Sequence, residues 1–233
     1  MTDATVSSSA APQVLAWDGP TRLFKWALVA TVVSAWVSNK YGAGNVAWHV
    51  WNGYAVLVLV VFRLLWGLVG GSTARFAGFL RAPLATIRYG LDLLRGREAH
   101  YLGHNPLGGW MVMVLLGLAG LMGLSGLFNA DTDRMIIEGP LSAKLSDAAV
   151  SLAHRIHHQA FDLLLIAIVL HLAAVAFHSV VKKERLAPAM VTGRKPARAY
   201  ADMAAATPGS IGLAIGCLVA AGLIVWGGIW IAR

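Results

Sequence analysis

The sequence predicts an all-α integral membrane protein with five transmembrane helices. Of its 233 residues, 58% are hydrophobic and only 13% are charged, whereas charged residues make up about a quarter of a soluble domain. Five segments are long and apolar enough to cross a bilayer, and a helix satisfies the backbone of such a segment in lipid. These predicted spans are 22–42, 46–68, 107–128, 152–180 and 209–231.

The loops between the spans predict the orientation. Loop 69–106 has five arginines and loop 181–208 has six basic residues, while loop 129–151 carries Asp131, Asp133, Glu138 and Asp147 against Arg134 and Lys144. The positive-inside rule puts the two basic loops and the N-terminus in the cytoplasm and Arg233 on the far side. The net charge of +8 is therefore explained by the basic cytoplasmic loops, and we expect no nucleic-acid partner.

The remaining segments support this arrangement. Residues 1–20 are polar and predict a mobile cytoplasmic tail, and 197–208 predict a linker to the fifth span. The spacing of apolar residues in 83–94 indicates an amphipathic helix on the membrane surface, and 141–150 could form another short helix.

Glycines 117, 120, 123 and 126 favour close helix packing in span three. The single cysteine, Cys217, excludes an internal disulfide and a covalently attached c-type haem.

Two histidines of span four carry the functional prediction. His157 and His171 are fourteen residues apart, which places them within about 40° on one helix face and about 21 Å apart along the axis. Intramembrane histidines are rare, and their default interpretation is functional. Such a helix could serve two haems, one in each leaflet.

His49 is the natural partner of His157. It lies near the outer end of span two, at the depth of His157 in span four, so the two imidazoles could bind one iron from opposite faces. His158 points about 100° away from His157, and we therefore favour His157. A zinc site at His154, His157 and His158 is the alternative for this region.

The inner member, His171, has no matching histidine in span one. Lys25 is the one side chain of that span near the right depth that could donate a lone pair. A lysine at a helix end ordinarily extends to the interface, and ligation requires loss of its proton. Both interpretations stay open on chemistry alone.

Several motifs jointly resemble the prokaryotic cytochrome b561 family, which is related to the b-type cytochrome subunit of nickel–iron hydrogenases. They cover about residues 17–196 and exclude the fifth span. The segments are Trp17–Trp26, His49–Tyr54, Phe62–Gly67, Tyr101–Trp110, the pair His157 and His171, and Ala189–Lys195.

The resemblance implies a four-helix transmembrane haem-binding bundle at 21–196. The fifth, C-terminal transmembrane helix within 197–233 lies outside the resemblance and is predicted from its apolar sequence. Family members hold two b haems. Here His49 and His157 match the ligands of the outer haem, and His171 matches one ligand of the inner haem. The other inner ligand is usually a histidine in Phe-His-Trp, where this chain has Phe24-Lys25-Trp26. The inner site could be a His171/Lys25 haem, a five-coordinate haem, a haem with another recruited ligand, or no haem at all.

The function implied is electron transfer across a bacterial inner membrane, between the quinone pool and a periplasmic redox protein such as a c-type cytochrome. The chain would act as an electron-transfer cytochrome, or as a quinone-linked oxidoreductase or a subunit of one. One alternative is a small-molecule oxidoreductase of the superoxide oxidase type. Another is a non-redox membrane anchor or transporter subunit, although we find no internal repeat of the kind that transporters show.

Overall fold

The structure, a computed structural model, describes residues 12–41, 46–130 and 139–232. Some of the residues used in the predictions lie outside the described part. They are the loop 43–45 between spans one and two, four charged residues of loop 129–151 (Asp131, Asp133, Arg134 and Glu138), and Arg233. The helices are α1 (Gly19–Tyr41), α2 (Val46–Val69), α3 (Phe76–Phe79), α4 (Pro83–Leu94), α5 (Pro106–Phe128), α6 (Asp147–Val180), α7 (Leu186–Thr192) and α8 (Ile211–Ala232). Two short strands complete the chain, β1 (Gln13–Leu15) and β2 (Arg194–Pro196).

In the described part of the chain, four helices are long and apolar enough to cross a membrane: α2, α5, α6 and α8. Helix α1 has a similar length but carries Arg22, Lys25 and Lys40, so its crossing rests on the sequence prediction. Helix α6 runs for 34 residues and begins at Asp147, because the side chain of Ser146 accepts from the Ala149 amide and caps it. The prediction of a separate short helix at 141–150 is wrong. Residues 142–144 form a single 3-10 turn, Ser142–Lys144, and the residues from Asp147 onward belong to α6.

Four of the long helices pack in the order α1, α2, α5 and α6, and the space between α1 and α6, called the slot here, stays open. Helix α1 packs on α2, α2 on α5, α5 on α6, and α8 on another side of α2, while α1 and α6 scarcely touch. A Cβ atom on Gly123 would lie 2.6 Å from the Cγ atom of Leu57. Glycine at this position therefore allows α5 to approach α2 closely, as the glycine series of span three predicts.

The N-terminal segment is part of the fold from residue 12 onward. Strand β1 pairs antiparallel with β2, with Val14 opposite Lys195. Ala16 and Trp17 are buried against Leu102 and Ala189. The predicted mobile tail 1–20 is therefore wrong for residues 12–20, because their apolar side chains find a core; residues 1–11 lie outside the described part.

The segment between β2 and α8 is tied to the loops beneath the bundle. Asp202 accepts from the amides of Leu102 and Gly103 at 2.7 and 2.8 Å, and Asp18 accepts from the Gly209 amide at 3.2 Å. Helix α4 lies across the same end, with four apolar side chains exposed: Leu84, Ile87, Leu91 and Leu94. That face suits the surface position predicted for 83–94.

Candidate cofactor-binding site

The structure brings His49 of α2 and His157 of α6 together across the slot. Their ring centroids are 6.2 Å apart and their planes cross at 76°. A metal bonded at about 2 Å to each of two imidazoles separates the ring centres by roughly 6 Å. His158 is exposed and lies against His154 instead, with centroids 4.4 Å apart.

Both facing imidazoles have their Nδ1 atoms occupied. Nδ1 of His49 lies 3.0 Å from the carbonyl oxygen of Ala35 on α1, and Nδ1 of His157 lies 3.1 Å from that of Met122 on α5. Because a carbonyl only accepts, each Nδ1 carries the proton and donates it. The Nε2 lone pairs are left for a metal, in the arrangement typical of metal-bound histidines.

The surroundings of this pair leave room for an inserted group. A cavity of about 40 Å³ adjoins the two rings. A Cβ atom on Gly126 would lie 3.3 Å from the His157 ring, whereas one on Gly53 would meet nothing within 4 Å. A macrocycle is larger than this cavity and would need the open slot as well.

A zinc site fits this region poorly. Among the described residues, no three His, Cys, Asp or Glu side chains are grouped to hold a metal ion. Nδ1 of His154 instead lies 3.0 Å from the side-chain oxygen of Asn129. Two facing imidazoles suit a cofactor that brings its own equatorial ligands, which haem does.

The inner region contains Lys25 of α1 and His171 of α6, and no hydrogen bond joins these two side chains in the described part of the chain. The Lys25 amine lies 3.6 Å from the centroid of the Trp17 ring and 3.2 Å from the sulfur of Met190. Among the described residues no carboxylate lies within 4 Å of this amine. Its contacts are thus an aromatic face, which attracts an ammonium group, and a thioether; neither carries the negative charge that would hold the amine firmly protonated.

Four buried nitrogens near the inner end have no hydrogen-bond partner in the described part of the chain: Arg22 Nε, Arg63 Nη1, His104 Nδ1 and, at the end of α6, His178 Nδ1. Arg63 is only 2% exposed, and its other terminal nitrogen donates to the Ala74 carbonyl at 3.0 Å. Buried donors without acceptors are costly. Haem propionates would supply carboxylate oxygens to such donors, so the residues present fit a haem on this side as well.

His104 is held neutral in this setting. Its ring lies between Trp17 and Phe79, with centroids 4.7 and 4.8 Å away. Burial, followed by the nearby charges of Lys25 and Arg63, holds the pKa of His104 well below its usual range. A neutral imidazole in this position can form a hydrogen bond without adding positive charge beside Arg63.

Sequence reasoning missed several of these features. The Nδ1 acceptors are backbone carbonyls, which no sequence motif encodes. From the sequence, Arg63 could pair with a haem propionate, as Arg22 and the loop arginines could, and the ordinary positive-inside role is favoured for each of them. Its burial within α2 separates Arg63 from the exposed loop arginines. A charged residue inside an otherwise apolar predicted span was the signal that could have singled it out.

The family comparison agrees with the helical membrane fold. No individual protein in a search of curated sequences matches the chain. A family model described as prokaryotic cytochrome b561 matches residues 16–193, from the buried Trp17 region through all helices up to α7. The chain belongs to the prokaryotic cytochrome b561 family, and is accordingly a prokaryotic membrane protein that carries b-type haem and transfers electrons.

Proposed function

We propose that this protein is a two-haem cytochrome that conducts electrons between the two leaflets of the bacterial inner membrane. The outer haem is bound by His49 and His157. The observation that carries the proposal is their 6.2 Å separation combined with the two Nδ1 hydrogen bonds to backbone carbonyls. Two imidazole ligands leave no open coordination position, which suits electron transfer.

For the inner haem, we propose ligation by His171 and Lys25. The two residues lie on α6 and α1, the helices that border the open slot. The absence of a carboxylate beside Lys25 in the described residues removes the partner that would best hold it protonated. Without such a partner, the amine can release its proton when a metal takes up its lone pair.

Arg63 and His104 are the proposed partners of the inner propionates. Each offers a buried nitrogen without an acceptor among the described residues. Arginine pairs bidentately with carboxylates, and a paired guanidinium costs less to bury than an isolated one.

The positions of the two histidines on α6 indicate the route of the electrons across the membrane. Its two histidines are about 21 Å apart along the axis, which spans most of the hydrocarbon core. We place the basic loops and the N-terminus in the cytoplasm and the C-terminus in the periplasm. The proposed partners are quinone or quinol and a periplasmic redox protein such as a c-type cytochrome. The family assignment favours this function over that of an anchor or a transporter.

A second candidate function depends on Lys25 alone. If the amine stays with Met190 and Trp17, where the structure places it, a haem on His171 is five-coordinate. An open position would favour reaction with a small molecule such as superoxide over electron relay.

The test is the visible spectrum and the haem content of the purified protein and of His49→Ala. We expect two b haems per chain in the unaltered protein and one in the variant, with the low-spin spectrum of the outer haem lost. Absence of reducible haem bands in the unaltered protein would overturn the proposal. Two haems in His49→Ala would remove the ligand assignment.

A further inference from the structure

A cavity of about 200 Å³ lies beyond the end of α6, remote from the paired histidines. It is bordered by the turn between α6 and α7, by β2 and by the residues that follow β2. The lining side chains that matter here are Lys183, Glu184, Arg185, Lys195, Arg198 and Tyr200.

The charges around this cavity are unbalanced. Four of the lining side chains are cationic and one, Glu184, is anionic. Glu184 is already engaged, at 2.8 Å from Nδ1 of His100 and at 3.0 Å from Arg198. Neither Lys183 nor Arg185 has an acidic partner within 4 Å among the described residues. The cavity therefore has more positive charge than its own walls neutralise.

One of the four cations is buried. Lys195 is 6% exposed, and its amine donates to the carbonyl of Tyr101 at 3.1 Å. A buried ammonium needs an anion or several acceptors to offset its lost hydration. The structure provides this amine with one carbonyl. The two carboxylates nearest to it are already engaged: Glu184 is shared by His100, His178 and Arg198, and Asp202 accepts from the amides of Leu102 and Gly103.

The size and the position of the cavity indicate the ligand. Sites for drug-sized molecules measure roughly 300–1,000 Å³, so this cavity suits a smaller group. Lys183 follows the end of α6 by three residues, which places the cavity where a membrane helix meets the lipid headgroups. Arginine and lysine side chains together are the usual recognition set for phosphate.

We propose that this cavity is a phosphate-binding site in which Lys183, Arg185, Lys195 and Arg198 hold one phosphate group. The group comes from an anionic phospholipid in the adjoining leaflet or from a soluble phosphate compound. Both have the same recognition chemistry, and they differ in whether the phosphate is presented by a bilayer. The site does not depend on the haem ligands proposed above.

The experiment uses the purified full-length protein with its haems. Inorganic phosphate binding is measured by calorimetry in detergent, and retention of phosphatidylglycerol is measured by native mass spectrometry after extraction from nanodiscs. The test variant is Lys183→Gln combined with Arg185→Gln. Arg194→Gln is the matched control, since Arg194 is exposed on β2 and does not line the cavity.

We expect the double variant to weaken binding at least about tenfold, given the usual strength of hydrogen bonds between charged groups, and Arg194→Gln to leave it unchanged. Binding of inorganic phosphate in detergent identifies a soluble ligand, and retention of phosphatidylglycerol alone identifies a lipid site. Arg185→Lys should bind more strongly than the double variant, because it keeps the charge. Thermal unfolding must show both variants folded.

Three outcomes would overturn the proposal. The first is that neither phosphate nor phosphatidylglycerol binds to the unaltered protein. The second is an equal loss of binding in the double variant and in Arg194→Gln, which would mean general charge attraction. The third is a double variant that loses haem while phosphate binding is unchanged, which would assign these cations to the haem propionates.

Discussion

The outer and inner ends of the bundle hold their candidate ligands in opposite ways. At the outer end His49 and His157 face each other, and a carbonyl fixes each Nδ1. At the inner end Lys25 contacts Trp17 and Met190, and buried nitrogens of Arg63 and His104 lack acceptors in the described residues. The outer site is organised by the protein alone, whereas the inner site has donors that only an added group would satisfy.

The largest effect should come from the outer pair. His157→Ala removes one of the two proposed axial ligands, and we expect loss of the outer haem and of its absorbance. His158→Ala is the matched control, since this neighbouring imidazole is exposed and lies against His154. Haem content per chain measures both, and a haem lost equally in the two variants would contradict the assignment.

Lys25 offers the sharpest test of the inner end. Lys25→His should convert the inner haem to bis-imidazole ligation, and Lys25→Ala should leave it five-coordinate or absent. Electron paramagnetic resonance distinguishes low-spin from high-spin iron. Lys40→Ala, at the opposite end of α1, is the control. An unchanged low-spin signal in Lys25→Ala would mean that Lys25 is an interfacial anchor or that another residue is the ligand.

Arg63 tests whether the inner end depends on charge. Arg63→Gln removes a buried positive charge beside the proposed propionates, which should favour the oxidised haem and lower its reduction potential. A redox titration should show this shift in the inner haem only. Arg88→Gln, an exposed change on α4, should leave both potentials unchanged. Equal shifts of both haems in Arg63→Gln would contradict a local contact.

The inner end should also be the acid-sensitive one. Burial alone would raise the pKa of Glu184, but the nearby imidazoles of His178 and His100 lower it to about 2. Its usual value of 4.5 applies to the unfolded chain, so the stabilisation is complete above pH 4.5 and is lost as the pH falls toward 2. The maximum effect is about 3 kcal/mol. Thermal unfolding between pH 6 and pH 3 measures it, and Glu184→Gln should flatten the dependence.

The smallest expected effect is a difference in stability between alanine substitutions at two glycines of α5. A Cβ atom at Gly123 would clash with Leu57, so Gly123→Ala should destabilise the protein by about 1–3 kcal/mol. At Gly117 a Cβ atom meets nothing within 4 Å, and Gly117→Ala should be neutral or stabilise by up to about 1 kcal/mol. Denaturation followed by haem absorbance compares them. Equal effects would mean that helix propensity, and not the contact with α2, decides.

Helical periodicity predicted much of this architecture. The spans follow from runs of apolar residues, and the choice of His157 over His158 follows from a 100° step on a helix. Both depend on local spacing, which the sequence contains directly. Pairing His49 with His157 needed only matched depth in two helices that run in the same direction.

Contacts between residues distant in the chain were not predictable in the same way. Strand β1 looked like part of a mobile tail because its partner, β2, lies about 180 residues later. The contact between Lys25 and Met190 joins α1 to α7 over a comparable separation. No periodicity within one segment encodes such pairs, since they depend on how the helices are arranged in space.

The close approach of Gly209 to Trp66 has a consequence for shortening the chain. The Trp66 ring is fully buried, and a Cβ atom on Gly209 would lie 2.5 Å from it. The family match ends at residue 193, yet a protein cut there would lose the cover of this ring and the amide that Asp18 accepts from. We therefore expect the domain that matches the family to need α8 and the segment before it for stability. The smallest stable fragment of this protein should extend beyond the residues that match the family model.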